Sequence, residues 1–518
     1  MRNSLLALLL LLTGDLFAQN SFLVYLKDKN SNPYTINTPL EYLSQRSIDR
    51  RINQDLAPNE QDLPVSPFYI QSIKESGLDV QYCSKWLNAC LAVGDTSNLK
   101  TVLSLPFITE IEPLDYTKGT INTLQKTATD IQYGNSEGQL TMLEIDQMHR
   151  EGLTGKGILI AVLDGGFPEV DKLEPFANLQ ANNQVVGTYN FPDRKPNVYK
   201  DHEHGTMVLS TLGAFWEGKI IGAAYDAQYL LLRTENVQIE SREEEFYWLL
   251  GAEYADSAGA DIISSSLGYN TFDLSSQDYN LQDLDGQTAL ITRAAEWAFA
   301  KGMLVVNSAG NEGQSSWKYI IPPADGEHVL TVGGVGLDGK IYNSSSRGPT
   351  IDGRIKPDVM AVGQATTVLN SSGKLSTSNG TSFSAPLISG FAANLWQKFP
   401  HLSNIELLQL IRQSGDRAKN PDNNFGYGIP GYNKSLITMG INTNTAFPRI
   451  VNPADDILTI NWDFADTFTC QLFDVTGRKV LEKSGLSHRI NIGHIQTGAY
   501  IVRIVTADKM YRETIIIE

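Results

Sequence analysis

Cysteine is scarce. The 518 residues contain three, Cys83, Cys90 and Cys470, and none has the paired C-x-x-C spacing of a zinc or redox site. The long middle of the chain has none, so its stability must come from an apolar core rather than from staples. Cys83 and Cys90 flank Trp86 and Leu87 in what reads as a tight hairpin. A disulfide made in an oxidising compartment and a pair of buried thiols both fit that spacing. Positive charge is also short, with 41 Lys and Arg against 58 Asp and Glu, a net charge of −17. That balance argues against a general nucleic-acid binder, which needs clustered cations along a phosphate backbone. After the first residues there is no apolar run of membrane-spanning length. The run Leu5 to Leu12 is itself too short to cross a bilayer. With Arg2 before it and Ala18 at a plausible cleavage point, it has the form of a secretory signal over residues 1–18. No internal repeat and no low-complexity segment is evident.

What remains is ordinary globular composition, 42% hydrophobic and 19% charged. Three textures follow one another. Residues 19–116 read β-α-β-β-α-β, with F-L-V-Y-L (22–26) as the first strand and I-T-E-I-E (108–112) as the last. A polar, Thr- and Gln-rich linker spans 117–142. From 143 to 437, apolar strands such as G-I-L-I-A-V-L-D (157–164), Y-L-L-L-R (229–233) and M-L-V-V-N-S-A-G (303–310) alternate with helices at 243–257 and 289–302. That pattern predicts an α/β domain with a doubly wound, mostly parallel sheet, whose ligands bind beyond the carboxyl ends of the strands. Residues 446–518 hold short alternating strands and turn signals, with no helical period. They read as a small all-β sandwich.

Three polar side chains sit at element ends in the middle domain. Asp164 closes a strand, His204 opens a helix, and Ser382 lies at a helix start in N-G-T-S-F-S-A-P (379–386). Singly they are a strand cap, a structural histidine and an N-cap. Jointly they are the parts that a serine nucleophile needs. The hydroxyl needs a base, and the base needs an anion that fixes its tautomer.

L-D-G-G, H-G-T-M-V and N-G-T-S-F-S-A-P, in the chain order Asp, His, Ser, resemble the signature blocks of the subtilisin-like serine peptidases. N-S-A-G-N-E-G (307–313) is similar to that family's oxyanion segment and S-S-L-G (265–268) to its substrate-binding strand. The resemblance spans roughly residues 143–436. It implies a secreted endopeptidase acting through an acyl-enzyme, with Asp164, His204 and Ser382 as triad and Asn311 as oxyanion donor. It further implies that Ser266, Leu267 and Gly268, with Ser308, Ala309 and Gly310, wall the substrate pocket. Ser384 stands where the family usually has alanine, and is expected to be a packing residue. Tyr269 stands where a second glycine is common, and its ring is expected to narrow the cleft.

The N-terminal unit resembles a subtilase propeptide, an intramolecular inhibitor cut away at the linker. The C-terminal unit resembles the sorting domain of the type IX secretion system, which implies export to the cell surface or beyond; a carbohydrate-binding sandwich is the structural alternative. The implied partners are protein or peptide substrates, the chain's own propeptide and the secretion machinery, with no nucleic acid. No cofactor is required by this chemistry. Asp273, Asp278, Asp283 and Asp285, on a long acidic loop, are candidate calcium ligands, although a solvated loop also fits their spacing. G-N-S-E-G (134–138) matches a nucleophile-elbow pattern, but lacks the strand before it. Asp201, His202 and Glu203 crowd His204 in a way that suggests a metal, yet adjacent residues point apart and a solvated turn is expected.

Overall fold

The structure, a computed structural model, describes residues 20–114, 132–439, 449–450, 457–461, 468–474, 478–485, 489–505 and 510–517. The expected signal segment and most of the expected linker therefore lie outside the described residues. Two compact units divide the chain, residues 1–438 and 439–518.

The first unit begins with β1 (Asn20–Leu26), α1 (Gln45–Asn53), α2 (Pro67–Glu75), β2 (Asp79–Ser84), β3 (Ala89–Gly94), α3 (Leu99–Leu103) and β4 (Ile108–Leu114). The strands form an antiparallel sheet in the order β2-β3-β1-β4. Cys83 and Cys90 face each other across the β2–β3 ladder and are joined by a disulfide.

The larger part of this unit continues with α4 (Glu137–Thr141), α5 (Ile145–Arg150), β5 (Leu159–Asp164), α6 (Ala177–Ala181), β6 (Val185–Asn190), α7 (His204–Gly213), β7 (Phe215–Trp216), β8 (Ile220–Ile221), β9 (Gln228–Arg233), α8 (Arg242–Ala258), β10 (Ile262–Ser265), α9 (Leu290–Ala300), β11 (Leu304–Ser308), β12 (Leu330–Val335), β13 (Val359–Val362), β14 (Thr366–Leu369), β15 (Leu375–Ser378), α10 (Thr381–Lys398), α11 (Asn404–Gln413) and α12 (Tyr432–Thr438). Seven strands make one sheet in the order β13-β12-β11-β10-β5-β9-β6, and every ladder in it is parallel. The strands β5, β10 and β11 are buried throughout, as strands covered on both faces must be. The first strand, β5, is central, with later strands added on either side. The chain therefore reverses direction at its carboxyl end, where a doubly wound sheet opens a crevice. The expected fold class is found.

One boundary needs correction. Residues 132–141 were expected to be linker, but they fold onto the body. Ser136 is buried; its Oγ donates to the Tyr133 carbonyl at 2.7 Å and accepts from Ile221 N–H at 2.9 Å. The serine of G-N-S-E-G is thus a structural pin. A polar sequence reads as exposed, but here its hydroxyl is satisfied internally and can be buried.

The N-terminal sheet and α1 sit on α8 through charge. Asp256 of α8 is fully buried and receives Arg50 at 2.5 Å, Arg51 at 2.8 Å and Lys85 at 3.1 Å. Burial alone would raise this carboxyl; Lys85, Arg50 and Arg51 instead hold it well below the usual carboxylate range. Glu253, one turn earlier, accepts from Ser84 Oγ at 2.5 Å, Trp86 N–H at 2.9 Å and Lys85 N–H at 3.0 Å. Asp62 answers with Arg51 at 2.9 Å and Lys301 at 3.0 Å.

The second unit contains β16 (Arg449–Ile450), β17 (Ile457–Asn461), β18 (Phe468–Asp474), β19 (Lys479–Gly485), β20 (Arg489–Asn491), β21 (Gly498–Val505) and β22 (Met510–Ile517). They form antiparallel sheets in the orders β16-β17-β20 and β19-β18-β21-β22. Leu458, Ile460, Leu472, Val502, Ile504 and the thiol-bearing Cys470 share its core. No helix among the described residues is long and apolar enough to cross a membrane.

Removing one member of a buried ion cluster strands the others. Asp256→Ala is therefore expected to destabilise the full chain by about 3–5 kcal/mol. Denaturant unfolding of a Ser382→Ala background would measure it; an unchanged midpoint would refute the account.

Candidate active site

Asp164 ends β5 and is fully buried. Its Oδ1 accepts from Gly165 N–H at 2.7 Å and lies 2.9 Å from His204 Nδ1, with Oδ2 at 3.1 Å from the same nitrogen. Close packing of α7 on β5 brings the pair together, and Gly205 permits it. A Cβ at position 205 would stand 2.3 Å from the Gly166 carbonyl oxygen and 2.9 Å from the Asp164 Cβ. That contact explains the glycine of H-G-T.

Burial of the imidazole on its own would lower the pKa of His204. The charge of Asp164, its hydrogen bond and then the charge of Glu235 override that effect, and the pKa stands at about 9. Glu235, just past β9, was not foreseen. Burial first, then Asp164, pushes its carboxyl above the ordinary range. Only the fold, which carries residue 235 alongside Gly165, reveals it.

Ser382 is the second residue of α10. The helix starts after Gly380, whose φ of +146° favours glycine. Ser382 Oγ lies 3.5 Å from the Ser266 carbonyl oxygen, at the outer limit of a hydrogen bond, while Ser266 Oγ donates to the Ser382 carbonyl at 2.7 Å. The expected line from Asp164 through His204 to Ser382 is therefore formed in its first half. Among the described residues no hydrogen bond joins the imidazole to Ser382 Oγ. The His204 ring stands 5.7 Å from that of Phe383, the neighbour of Ser382. The hydroxyl has taken a nearby carbonyl as acceptor. Catalytic hydrogen bonds commonly tighten only in the substrate complex.

Asn311 is oriented by Thr381, whose N–H donates to Asn311 Oδ1 at 3.0 Å. Thr381 Oγ1 also accepts from Gly310 N–H at 3.2 Å and donates to the Gly310 carbonyl at 3.1 Å. The threonine of G-T-S thus ties the serine turn to the asparagine segment. With Oδ1 engaged, Asn311 Nδ2 is left as a donor. A Cβ built on Gly380 would lie 3.7 Å from Asn311 Nδ2 and Oδ1 and 3.8 Å from Ser382 N, so the asparagine amide and the serine backbone N meet beside this glycine.

Ser266, Leu267 and Gly268 follow β10, while Ser308 ends β11 and Ala309 and Gly310 follow it. The two strands are parallel neighbours, with Ser265 opposite Asn307. Leu267 and Ala309 turn their side chains into the core, leaving backbone to face the crevice. The expectation for Tyr269 fails. Its ring is buried, 6.1 Å from the Phe272 ring, and its N–H donates to the Pro322 carbonyl at 2.9 Å. A large apolar ring beside a core was drawn inward rather than left in the cleft. Ser384, as expected, is a fully buried packing residue.

The acidic loop is occupied by its own turns. Asp278 accepts from Phe272 N–H at 2.7 Å, Asp283 from Asn280 N–H at 2.8 Å, and Asp285 from Gln287 and Thr288 N–H at 2.7 Å each. Near His204, Asp201 lies 3.4 Å from Arg233, His202 Nδ1 accepts from His204 N–H at 3.4 Å, and Glu203 accepts from Ser371 Oγ at 2.6 Å. No group of three or more His, Cys, Asp or Glu side chains among the described residues could hold a metal ion.

The subtilase family profile matches residues 155–428, a Bacteroidota peptidase S8 propeptide profile matches 21–130, and a secretion-system C-terminal sorting domain matches 446–518. The chain belongs to the subtilase family. It carries that family's propeptide unit, and its sorting domain marks it for export. It is similar to serine protease AprX of Bacillus subtilis strain 168, with 29% identity over 54% of this chain and 66% of that protein, just under two thirds of its length. Subtilisin E of the same strain is 28% identical over 69% of this chain and 82% of its own. Among solved structures, MycP1 from Mycobacterium smegmatis aligns over 61% of this chain and 89% of its own, at 23% identity and a TM-score of 0.46.

The pKa of His204 stands above the ordinary 6.5, so its ion pair with Asp164 contributes fully below about 6.5 and is lost as pH rises through about 9. Asp164→Asn removes the counter-charge and leaves burial dominant. An NMR titration of the imidazole in a Ser382→Ala background should then fall from about 9 to below the free-histidine value near 6.5. An unmoved titration would refute the assignment.

Proposed function

We propose that this chain is a secreted serine endopeptidase that cleaves peptide bonds through an acyl-enzyme on Ser382. The carrying observation is the hydrogen-bonded pair of buried Asp164 and part-buried His204, together with a helix-start serine whose backbone N lies, with Asn311 Nδ2, within 3.8 Å of one point beside Gly380. A peptide pairs in extended form with the backbone at 266–268 and 308–310. Ser382 Oγ attacks the carbonyl carbon as His204 Nε2 takes its proton. Asp164 holds Nδ1–H and balances the imidazolium. The new oxyanion accepts from Ser382 N–H and Asn311 Nδ2. The tetrahedral adduct collapses, its C–N bond breaks, and His204 returns the proton to the departing amine. Water, deprotonated by His204, then releases the acyl group and restores Ser382. The start of α10 adds some tenths to about 1 kcal/mol toward the developing negative charge.

The N-terminal unit acts as intramolecular inhibitor until the chain is cut between residues 116 and 131, short of the segment that Ser136 pins to the body. Its dense seat on α8 also favours a narrower reading, in which that segment is the only substrate. Casein hydrolysis by the processed protein separates the two.

Ser382→Ala should abolish fluorophosphonate labelling and casein cleavage. Ser384→Ala deletes a buried hydroxyl with no partner and should keep both; equal loss in the two variants would overturn the assignment. Asn311→Ala should lower kcat by about 10²- to 10³-fold. Because the base must be neutral, kcat/KM should climb as pH rises through about 9, and a profile already flat from pH 6 upward would contradict the role of His204.

A further inference from the structure

The crevice next to the serine turn is not empty between its walls. Gly268 and Gly310 face each other there, and one side chain stands against both. A Cβ added at Gly268 would lie 2.8 Å from Ile321 Cγ1 and 2.9 Å from Ile321 Cδ1. One added at Gly310 would lie 2.9 Å and 3.2 Å from the same two atoms. Contacts under 3 Å are not tolerated between carbons, so the absence of side chains at 268 and 310 is what admits Ile321.

The intruding segment is fixed. Ile321 N–H donates to the Ala309 carbonyl at 3.3 Å, and the Pro322 carbonyl accepts from Tyr269 N–H at 2.9 Å. The segment is thus bonded once to each wall. Ala324 N–H returns to the Ile321 carbonyl at 2.9 Å and closes a turn. Both walls also reach the nucleophile. The Ser266 carbonyl meets Ser382 Oγ, and Gly310 is bonded twice to Thr381. Ile321 is only half-buried. None of the side chains meeting here is ionisable.

We infer that Ile321 is a specificity-determining residue, which confines the substrate residue supplying the attacked carbonyl to small neutral side chains such as glycine, alanine and serine. The inference rests on the peptidase reading above and deepens it. A benzyl or isobutyl group in this position would have to displace a side chain whose backbone is bonded to both walls. Tyr269, the bulky residue that sequence alone suggested for this task, is in the core.

The test uses processed enzyme obtained from the full chain. Two peptidyl diphenyl phosphonates, with alanine or phenylalanine as the residue bearing phosphorus, are compared by their rate of Ser382 labelling. The wild type should react faster with the alanine probe. Ile321→Gly should raise the relative rate for the phenylalanine probe by about 10- to 200-fold, the range that pocket methylenes command. Ile321→Val, which leaves the backbone bonds in place, should give a smaller shift in the same direction. A wild type that prefers the phenylalanine probe, or variants that leave the ratio unchanged, would overturn the inference and leave the peptidase reading intact. Failure of both probes to label Ser382 would overturn the peptidase reading, and the inference with it.

Discussion

A single carboxylate buried at the end of the central strand constrains the rest of the site. An isolated charge in a protein interior is strongly disfavoured, so Asp164 must be met by donors. Gly165 N–H supplies one and His204 the other. That need fixes the position of α7, which in turn demands glycine at 205, and it fixes which imidazole nitrogen carries the proton. One burial requirement thus sets a helix position, a glycine and a tautomer.

The same physics recurs at the seat of the N-terminal unit, with a different outcome. Asp256 is as deeply buried as Asp164 but meets three permanent cations instead of one titratable ring. It is therefore held in one charge state and clamps. Asp164 faces a group whose proton can leave, and so it can take part in chemistry. Partner identity, rather than burial, separates an acid locked in one charge state from one coupled to a neighbour's titration.

Much of this was legible along the chain. The fully buried strands β5, β10, β11 and β12 showed as apolar runs, and the ordered D, H and S blocks marked the polar ends that matter. β6 was missed because its residues are mostly part-exposed and carry no clean alternation or continuous run. Residues 132–141 were misplaced because a buried serine looks like a solvated one in a polar sequence. Glu235 and Ile321 carry no local signal at all. Each acquires meaning only when a remote segment is folded beside it, Glu235 by Gly165 and Ile321 by two glycines more than forty positions apart. Tyr269 taught the converse, since its size was visible in the sequence and its direction was not.

The bond between Cys83 and Cys90 has a further consequence. Both cysteines lie in the N-terminal unit, on the hairpin whose tip feeds Ser84, Lys85 and Trp86 to Glu253 and Asp256, and the peptidase body has no cysteine to bridge. A thiol reductant therefore acts on the N-terminal unit and not on the subtilase domain. Oxidising surroundings, which a chain marked for export enters, stiffen the very loop that does the gripping.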